Sequence, residues 1–579
     1  MAEAEYGGNG DAKDSTETST YVFLTEQSKV VKVGGFAGVH ETYPIEGQFR
    51  LTVDFDAGTA WFGQVDANLT DESGLLYERS LGVIFNMSEL AGTVADDTTI
   101  EFVGKTADGM DSTILLTLTF RDDSAHLSGR TVPPPNSADF FIYELDAVAW
   151  KKYGGGTGEP NDPYRIATAD DLMLLGENPE DYDRHFILTD DINLDPNLPG
   201  CKVFNKAVIA PDTDPTDRWS EFQGTLFGGV FDGNGYKISH LAITGEDYLG
   251  LFGQLGSEAK ISNLGLEAVE IYGADYYVGG LVGYNSGSIV ASYSTGTVSG
   301  GQCVGGLVGW NFEGSIAASY NTGMVSGGQC VGGLVGWNVE GSIAASYSTG
   351  TVRGGQFVGG LLGWNAEGKI NASYSTDKAA GDRSVGGLVG WNTGSIAMSY
   401  STGTATGYVY VGGLVGRNWD SITMSYCAGT VSGGHYVGGL VGNDSGNITS
   451  SFWDMEASGR TTSAGGRGKT TAEMQKAGTF LDASWDFVGE SENGTDDIWS
   501  ICEGTNYPSL TWQIPAGDFV CPDGITIDDF LFFIEHWQED NCDPSNDYCQ
   551  GTDLDFSGTV DINDLEIFLE NWVADVRSD

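Results

Sequence analysis

VGGLVGWNVEGSIAASYSTGTV, at residues 331–352, is one copy of a unit that recurs along the middle of the chain. The leucine of its GGLVG or GGLLG core returns every 26 or 27 residues, a period typical of solenoids. An isoleucine and a tyrosine return in step with it, as at Ile343 and Tyr347, so identical units should stack in register. The repeated leucines are Leu281, Leu307, Leu334, Leu361, Leu388, Leu414 and Leu440, with a looser copy around Leu251.

Each unit contains short β-compatible stretches separated by glycine, such as SIVASY at 288–293, and none has a helical period. A unit this small cannot bury an apolar face alone, but stacking at about 4.8 Å per rung pairs the backbone and closes a shared core. The sequence therefore predicts a mainly β protein built on a parallel β-helix of about eight coils. Strand alternation would point Ile289, Ala291 and Tyr293 inward and leave Ser292 outward.

The repeat closely resembles the GLUG repeat of bacterial secreted and surface proteins, whose signature is glycine, leucine, a hydrophobic residue and glycine. NDPYRIATADDLMLL at 161–175, FGGVFDGNGYKISHL at 227–241 and WDFVGESENGTDDIW at 485–499 are similar to segments of planctomycete-like GLUG proteins. The resemblance covers residues 153–515 and implies a secreted or cell-surface protein. It does not specify an activity, because GLUG repeats occur as appendages in adhesin-like and protease-associated chains.

Composition changes along the chain predict further domains. FRLTVDF at 49–55 and TILLTLTF at 113–120 are typical of an all-β sandwich or barrel, and a Gly/Pro-rich join follows it at 153–166. The expected organisation is a flexible N-terminus at 1–20, an all-β domain at 21–150, the opening of the solenoid at 153–250, the repeats at 251–452, a closing segment at 453–515 and a tail domain at 516–579.

Charge excludes several classes of partner. The chain has 27 Lys+Arg against 81 Asp+Glu, a formal charge of −54, which repels nucleic acid and bare anionic lipid. Residues 516–579 contain 17 acidic residues and one basic residue, whereas residues 276–450 contain seven and five. No apolar run is long enough to span a membrane, and no signal peptide is recognisable after Met1. We expect a secreted or cell-surface protein whose signal peptide is not part of this sequence.

The tail contains two similar segments, DDFLFFIEHW at 528–537 and NDLEIFLENW at 563–572. Their apolar residues have helical spacing, and together the segments resemble a type I dockerin, a small α-helical domain related to EF-hands. The pattern predicts core positions at Phe530, Phe533, Ile534 and Trp537 and at Leu565, Phe568, Leu569 and Trp572.

DLDFSGTVDIND at 553–564 places oxygen ligands at the loop positions of an EF-hand, with Gly558 at the sharp turn. Calcium, which prefers oxygen ligands, suits this loop, although an Asp-rich helix cap would give a similar pattern. The equivalent first loop keeps Asp518 and Asp529 but has Val520 and Pro522 in place of ligands. The predicted ligands are Asp553, Asp555, Ser557, Asp561 and Asp564 through side chains and Thr559 through its carbonyl group.

The dockerin resemblance implies a cohesin-like partner, recognised through loop positions 10 and 11, which are Ile562 and Asn563 here. An export or anchoring role for the tail is the alternative. Cys542 and Cys549 are the simplest disulfide pair in the tail. Cys303 and Cys330 occupy equivalent places on adjacent coils, where either a disulfide or a packed thiol pair would fit.

Aromatic residues stand three positions after successive repeat leucines and could form a flat strip on which sugar rings pack. The alternative is that they cover apolar surface or contact the N-terminal domain. An asparagine follows each of them, as at Asn338, and should form a hydrogen-bonded structural ladder. The strip consists of Tyr284, Trp310, Trp337, Trp364 and Trp391.

No HExxH, GxSxG or P-loop motif is present in the sequence. We therefore expect a non-catalytic extracellular binding, adhesion or scaffold protein with a calcium-binding attachment module. A polysaccharide lyase or glycosidase would need charged residues clustered in one groove, and Glu313, Glu340 and Glu367 instead fall at a predicted turn. A third hypothesis is a subunit of a filament or surface layer that assembles end to end.

Overall fold

The computed structural model contains two compact units, Met1–Leu175 with Arg184–Asp190 and Gly176–Asp183 with Asp191–Asp579. The first strand begins at Thr16, so residues 16–20 are not part of a flexible terminus, and residues 1–15 lie outside the described residues. The structure describes residues 16–24, 27–34, 39–54, 56–69, 81–96, 98–106, 112–121, 124–134, 141–214, 222–489, 493–494, 496–521, 524–542 and 547–578.

An antiparallel nine-stranded sheet forms most of the first unit, which confirms the all-β sandwich or barrel. The sheet closes because the long strand Val39–Asp54 pairs with both Lys29–Gly34 and Thr59–Leu69. Phe49 and Phe102, both fully buried, fill its interior. The strands are Thr16–Phe23, Lys29–Gly34, Val39–Asp54, Thr59–Leu69, Ala91–Asp96, Thr99–Lys105, Thr113–Arg121, Ser124–Val132 and Phe141–Lys151, with short helices at Leu81–Ile84 and Met87–Glu89.

Residues between this sheet and the repeats form a mixed segment. Strand Tyr164–Ile166 pairs in parallel with His185–Leu188, and both belong to the first unit. Helix Ala169–Glu177 and a turn of 3₁₀-helix at Pro179–Asp181 lie between these two strands.

A β-solenoid of about eight turns forms the body of the second unit, as the repeats predict. Its strands build three parallel sheets, in which identical residues pair on successive coils, as Trp310 does with Trp337 and Ile316 with Ile343. The sheets are named here after the residue that repeats in each.

The isoleucine sheet and the tryptophan sheet contribute one strand each per coil. The isoleucine sheet contains Val230–Asp232, Lys260–Ser262, Ser288–Val290, Ser315–Ala317, Ser342–Ala344, Lys369–Asn371, Ser395–Ala397, Ser421–Thr423 and Asn447–Thr449. The tryptophan sheet contains Phe252–Leu255, Val282–Asn285, Val308–Phe312, Val335–Val339, Leu362–Ala366, Val389–Asn392, Val415–Asn418 and Val441–Asp444.

The tyrosine sheet contributes more than one strand on most coils. They are Ile192–Asn193, Lys237–Ser239, Ala242–Gly245, Gly265–Gly273, Tyr276–Val278, Tyr293–Ser299, Gln302–Gly305, Tyr320–Asn321, Met324–Ser326, Gln329–Gly332, Tyr347–Ser348, Thr351–Arg353, Gln356–Gly359, Tyr374–Ser375, Lys378–Ala380, Arg383–Gly386, Tyr400–Ser401, Thr404–Gly412, Tyr426–Cys427, Val431–Gly438, Phe452–Asp454 and Arg467–Lys469.

The corner after the isoleucine sheet corrects the predicted inward face. Ile289 is fully buried, as expected, but Ala291 is exposed, Ser292 is fully buried and Tyr293 is half-buried. The cause is a left-handed residue, because Ala291 has φ 49° and turns the chain, which shifts the alternation by one position. The same left-handed position recurs at Ala318, Ala345, Ala372, Met398, Met424 and Ser450.

The closing segment continues the solenoid and also packs on its side. Strand Arg467–Lys469 pairs in parallel with Phe452–Asp454 and so extends the tyrosine sheet. Trp485 and Trp499, both fully buried, join a core with Tyr426 of the tyrosine series. The other elements of this segment are helices Met455–Ser458, Thr471–Met474, Ala477–Leu481 and Thr511–Gln513 and strands Trp499–Ser500 and Ser509–Leu510.

Two helices, Ile527–Glu535 and Ile562–Ser578, dominate the tail, with a short turn at Asp547–Gln550. Phe533 and Phe568 are fully buried between them, but Ile534 and Leu569, expected in the core, are each 44% exposed. Among the described residues, no helix is long and apolar enough to cross a membrane.

Candidate functional site

The loop at 553–564 brings three carboxyl groups together. One oxygen from each of Asp553, Asp555 and Asp564 lies within 4.8 Å of the other two. Asp553 and Asp564 are almost fully buried, whereas Asp555 is exposed. This is the only such group of potential metal ligands among the described residues.

Backbone N–H groups fix these carboxylates. Asp564 lies in the first turn of the long helix. Its carboxylate accepts hydrogen bonds from Leu554 N at 2.6 Å, Asp555 N at 3.0 Å and Asp561 N at 2.8 Å. Asp553 accepts from Ser557 N at 3.0 Å and from Gly558 N at 2.9 Å. The chain folds back because Gly558 has φ 94°, a conformation that a side chain would strain.

The remaining predicted ligands are placed differently. Ser557 lies beside the carboxylates, and its hydroxyl group donates to the Thr559 carbonyl oxygen at 3.2 Å. The Asp561 carboxylate accepts from Asn563 N at 2.8 Å and so caps the helix. The cap interpretation and the ligand interpretation are therefore compatible for this residue.

The three carboxylates place several negative charges close together in the loop. Burial raises the pKa of Asp553, whereas a hydrogen bond from Ser557 lowers the pKa of Asp555. None of the three carboxylates forms an ion pair with a basic side chain of the described residues. A hard divalent cation binds oxygen ligands and would neutralise this negative charge.

The first loop repeats part of the hydrogen bonding of the second loop, and it keeps Asp518 and Asp529 of the predicted ligand positions. Asp529 accepts from Phe519 N at 2.7 Å and Val520 N at 2.9 Å, as Asp564 does from the equivalent residues of the second loop. Asp529 and Thr526 form a capping box on helix Ile527–Glu535. Pro522 lies outside the described residues.

A disulfide whose pairing the sequence did not reveal ends in the first loop. Cys521 is bonded to Cys502 of the closing segment, and Cys542 is bonded to Cys549 as predicted. The even number of cysteines in this region was the available signal, but connectivity cannot be read from spacing alone. Cys303 and Cys330 are both buried free thiols.

The residues implied in partner recognition are accessible. Ile562 is 64% exposed and Asn563 is also exposed at the start of the long helix. Ile562 continues into a shallow groove with Leu565, Leu569 and Val573.

The predicted aromatic strip exists as a column of stacked rings. Trp310, Trp337, Trp364 and Trp391 follow one another at centroid distances of 4.9, 5.0 and 4.6 Å, with interplanar angles of 8° to 10°. Tyr284 meets Trp310 edge to face at 4.7 Å. The indole faces within the column are therefore covered by the neighbouring rings. Carbohydrate binding by this column stays a prediction.

Three of the coils match the family model described as "The GLUG motif", at residues 274–299, 327–353 and 381–406. The chain contains GLUG repeats. It is 35% identical to halomucin of Haloquadratum walsbyi over 156 residues, 27% of this chain and 2% of halomucin. It is 36% identical to a putative Gly-rich membrane protein of Evansella cellulosilytica over 149 residues, 24% of this chain and 15% of that protein. The chain thus spans only a small part of these relatives.

Between the coils of the GLUG region, a buried amide ladder lies behind the tryptophan column. Asn311 Nδ2 donates to Asn338 Oδ1 at 2.7 Å, and Asn338 Nδ2 donates to Asn365 Oδ1 at 2.9 Å, as the series predicted. The register glutamates, for example Glu340, are exposed at left-handed turn positions. They lie at the predicted turn and form no cluster with other ionisable groups among the described residues.

Proposed function

We propose that this chain is a non-catalytic secreted or cell-surface protein, in which the GLUG solenoid is a rigid scaffold and the tail binds calcium to form an attachment module. The surface role is supported by the GLUG coils and by the relatives, one named a mucin and the other a membrane protein.

The observation that carries the calcium proposal is the convergence of Asp553, Asp555 and Asp564 in a loop that leads into a helix. Ser557 and the Thr559 carbonyl group stand in the same loop and would complete an oxygen-only ligand set. A bound divalent cation would neutralise the crowded carboxylates and hold the loop against the helix. Calcium would therefore order the tail and, with it, the start of the exposed helix face.

Attachment would use that helix face. Ile562 and Asn563 stand at its start, and the apolar groove beyond them is flanked by Glu566 and Glu570. Exposed apolar side chains rimmed by charged ones are typical of protein docking surfaces. We infer a cohesin-like protein of the cell surface as the partner.

Calcium titration of the full chain by calorimetry tests the metal site. We expect one saturable site that Asp553→Asn abolishes or weakens at least about tenfold, because the variant removes a buried charged ligand. Asp518→Asn, at the equivalent position of the first loop, is the matched control and should bind calcium normally. Absence of saturable heat, or unchanged binding by Asp553→Asn, would contradict the proposal.

Capture by purified cohesin-type domains tests attachment separately. We expect calcium-dependent binding that Ile562→Asp removes while calcium affinity is retained. Ile527→Asp is the control, since Ile527 is the equivalent residue of the first helix and is 58% exposed. Equal loss in both variants, or capture that persists in a calcium chelator, would argue against docking through the second helix.

A further inference from the structure

A groove runs along the tyrosine sheet and carries one amide side chain per coil. Gln302, Gln329 and Gln356 pair in register on successive coils, and Arg383 takes the same place on the next coil. Asp275 lies at the opposite end of the groove from Arg383 and Tyr408. The glutamine side chains are partly or fully exposed and recur once per coil along the solenoid axis, and Gln302 Nε2 donates to the Tyr276 hydroxyl group at 3.3 Å.

A second arginine lies close to the end of this groove. The guanidinium carbons of Arg383 and Arg417 lie 5.6 and 4.7 Å from the centre of the same ring, that of Tyr410. Arg417 also stacks against Trp391 at 5.4 Å and Trp419 at 5.5 Å. Arg417 pairs with Trp391 of the preceding coil and so occupies the next position of the tryptophan column. The column therefore ends at a guanidinium group that contacts aromatic rings.

Within the part of the chain that the structure describes, neither guanidinium group has an acidic partner. Among the described residues, neither Arg383 nor Arg417 forms an ion pair, and the Nε of Arg417 is buried without a hydrogen-bond acceptor. Ring contacts use the flat faces of a guanidinium group, whereas its N–H donors point outward from its edges. In a chain with 81 acidic residues, two adjacent unpaired arginines leave donors suited to an external anion.

We propose that this groove binds a carboxylate-bearing polysaccharide that lies along the solenoid axis. Arg383 would bind a carboxylate of the sugar, and Arg417 would add a second positive charge behind Tyr410. The glutamine amides, which both donate and accept hydrogen bonds, would contact the hydroxyl groups of successive sugar units. The site is separate from the calcium loop and from the faces of the tryptophan column.

A glycan suits the groove better than an acidic peptide does. The repeating feature is an uncharged donor and acceptor on each coil, whereas cations stand only at one end. The ring of Tyr408, which lines that end, is 62% exposed and offers a face on which a sugar ring packs. Asp382, exposed beside Arg383, and Asp275 would repel a densely charged polymer, so spaced carboxylates fit best.

Calorimetric titration of the full chain with short oligogalacturonates tests the proposal, with their methyl esters as the uncharged counterpart. We expect saturable binding to the acid form, at least tenfold weaker binding to the ester, and at least tenfold weaker binding by Arg383→Gln and Arg417→Gln. Lys369→Gln, a cation of the isoleucine sheet, is the matched control and should bind normally. Arg417→Gln should fold, because the next coil carries a neutral amide, Asn443, at that position.

Several outcomes would overturn the inference. No binding to either form would exclude the glycan site, and equal affinity for acid and ester would exclude recognition of a carboxylate. Unchanged affinity in both arginine variants would place any binding elsewhere on the chain. Tighter binding to hexaglutamate than to oligogalacturonate would assign the site to acidic peptides instead. None of these outcomes affects the calcium titration, because Asp553 is not part of the groove.

Discussion

Asp377 places a carboxyl group inside the solenoid, where the neighbouring coils carry Gly350 and Gly403. The residue is fully buried, and one of its oxygens has no hydrogen-bond partner. Burial raises the pKa of Asp377 to about 7, with a hydrogen bond from Ser375 opposing the shift. The Asp377 carboxyl group should therefore be protonated in the folded chain below pH 7, and its ionisation above pH 7 should lower the stability of the solenoid.

The raised pKa of Asp377 makes the stability of the folded chain depend on pH. Because the pKa is higher in the folded chain than in the unfolded chain, the stability contributed by Asp377 is complete near pH 4 and is lost as the pH rises to about 7, by about 4 kcal/mol. Asp377→Asn should raise the melting temperature at pH 8 and leave it nearly unchanged at pH 4. Thermal unfolding followed by circular dichroism checks this, with exposed Asp382→Asn as the control. An equal effect of Asp377→Asn at both pH values would refute the prediction.

The asparagine ladder should contribute strongly to stability. Asn338→Ala would leave one N–H donor of Asn311 Nδ2 and the acceptor Asn365 Oδ1 buried without their ladder partner, and each unsatisfied group costs about 1–3 kcal/mol. We expect a loss of about 2–5 kcal/mol in chemical denaturation. Gln329→Ala removes an exposed amide of the same coil and should change stability by less than about 0.5 kcal/mol. Similar losses in the two variants would mean that the ladder is not a special source of stability.

Single residues also show where sequence reasoning stops. The repeat series that start at Leu281 and Ile289 correctly predicted columns of buried side chains, because equivalent positions of successive coils face the same core. The left-handed corner at Ala291 was missed because nothing in an alanine signals a positive φ. The spacing of the calcium loop identified the three carboxylates that converge, but it could not show that Asp561 caps the helix.

At the scale of elements, the closing segment has a role that periodicity cannot reveal. It lacks the repeat, so the sequence indicated only that it should cover the end of the solenoid. The structure adds that Trp485 packs on Trp499 at 4.6 Å and donates from Nε1 to the Ser450 carbonyl oxygen at 2.8 Å. These contacts join residues far apart in the chain, and only folding brings them together.

The closing segment should accordingly be required for the last coils to be stable. Trp485→Ala removes a fully buried indole and should cost about 3–5 kcal/mol. Trp512→Ala, in the same segment but 39% exposed, should cost clearly less. Hydrogen exchange should show Trp485→Ala loosening strands Tyr400–Ser401 and Tyr426–Cys427 more than the first coils. Uniform loosening of all coils would instead mean that the solenoid unfolds as one unit.

Across the whole molecule, charge is distributed unevenly between parts that must remain folded together. The tail has 17 acidic residues and one basic residue, whereas residues 276–450 have seven and five. Self-repulsion destabilises a compact state in proportion to its unbalanced charge, and salt screens it. The two disulfides of the tail region and the acidic loop at 553–564 therefore lie in this acidic part of the chain or next to it.

This imbalance predicts that salt stabilises the tail selectively. Raising sodium chloride from about 0.1 M to 1 M shortens the screening length from about 10 Å to 3 Å, which removes most repulsion between surface carboxylates. In a calcium chelator, hydrogen exchange should slow markedly in helix Ile562–Ser578 and little in the GLUG coils. Sucrose, which stabilises folded chains without screening charge, is the control and should slow both regions alike. If salt slowed the coils as much as the helix, its action would be general exclusion from the surface, and tail repulsion would not limit stability.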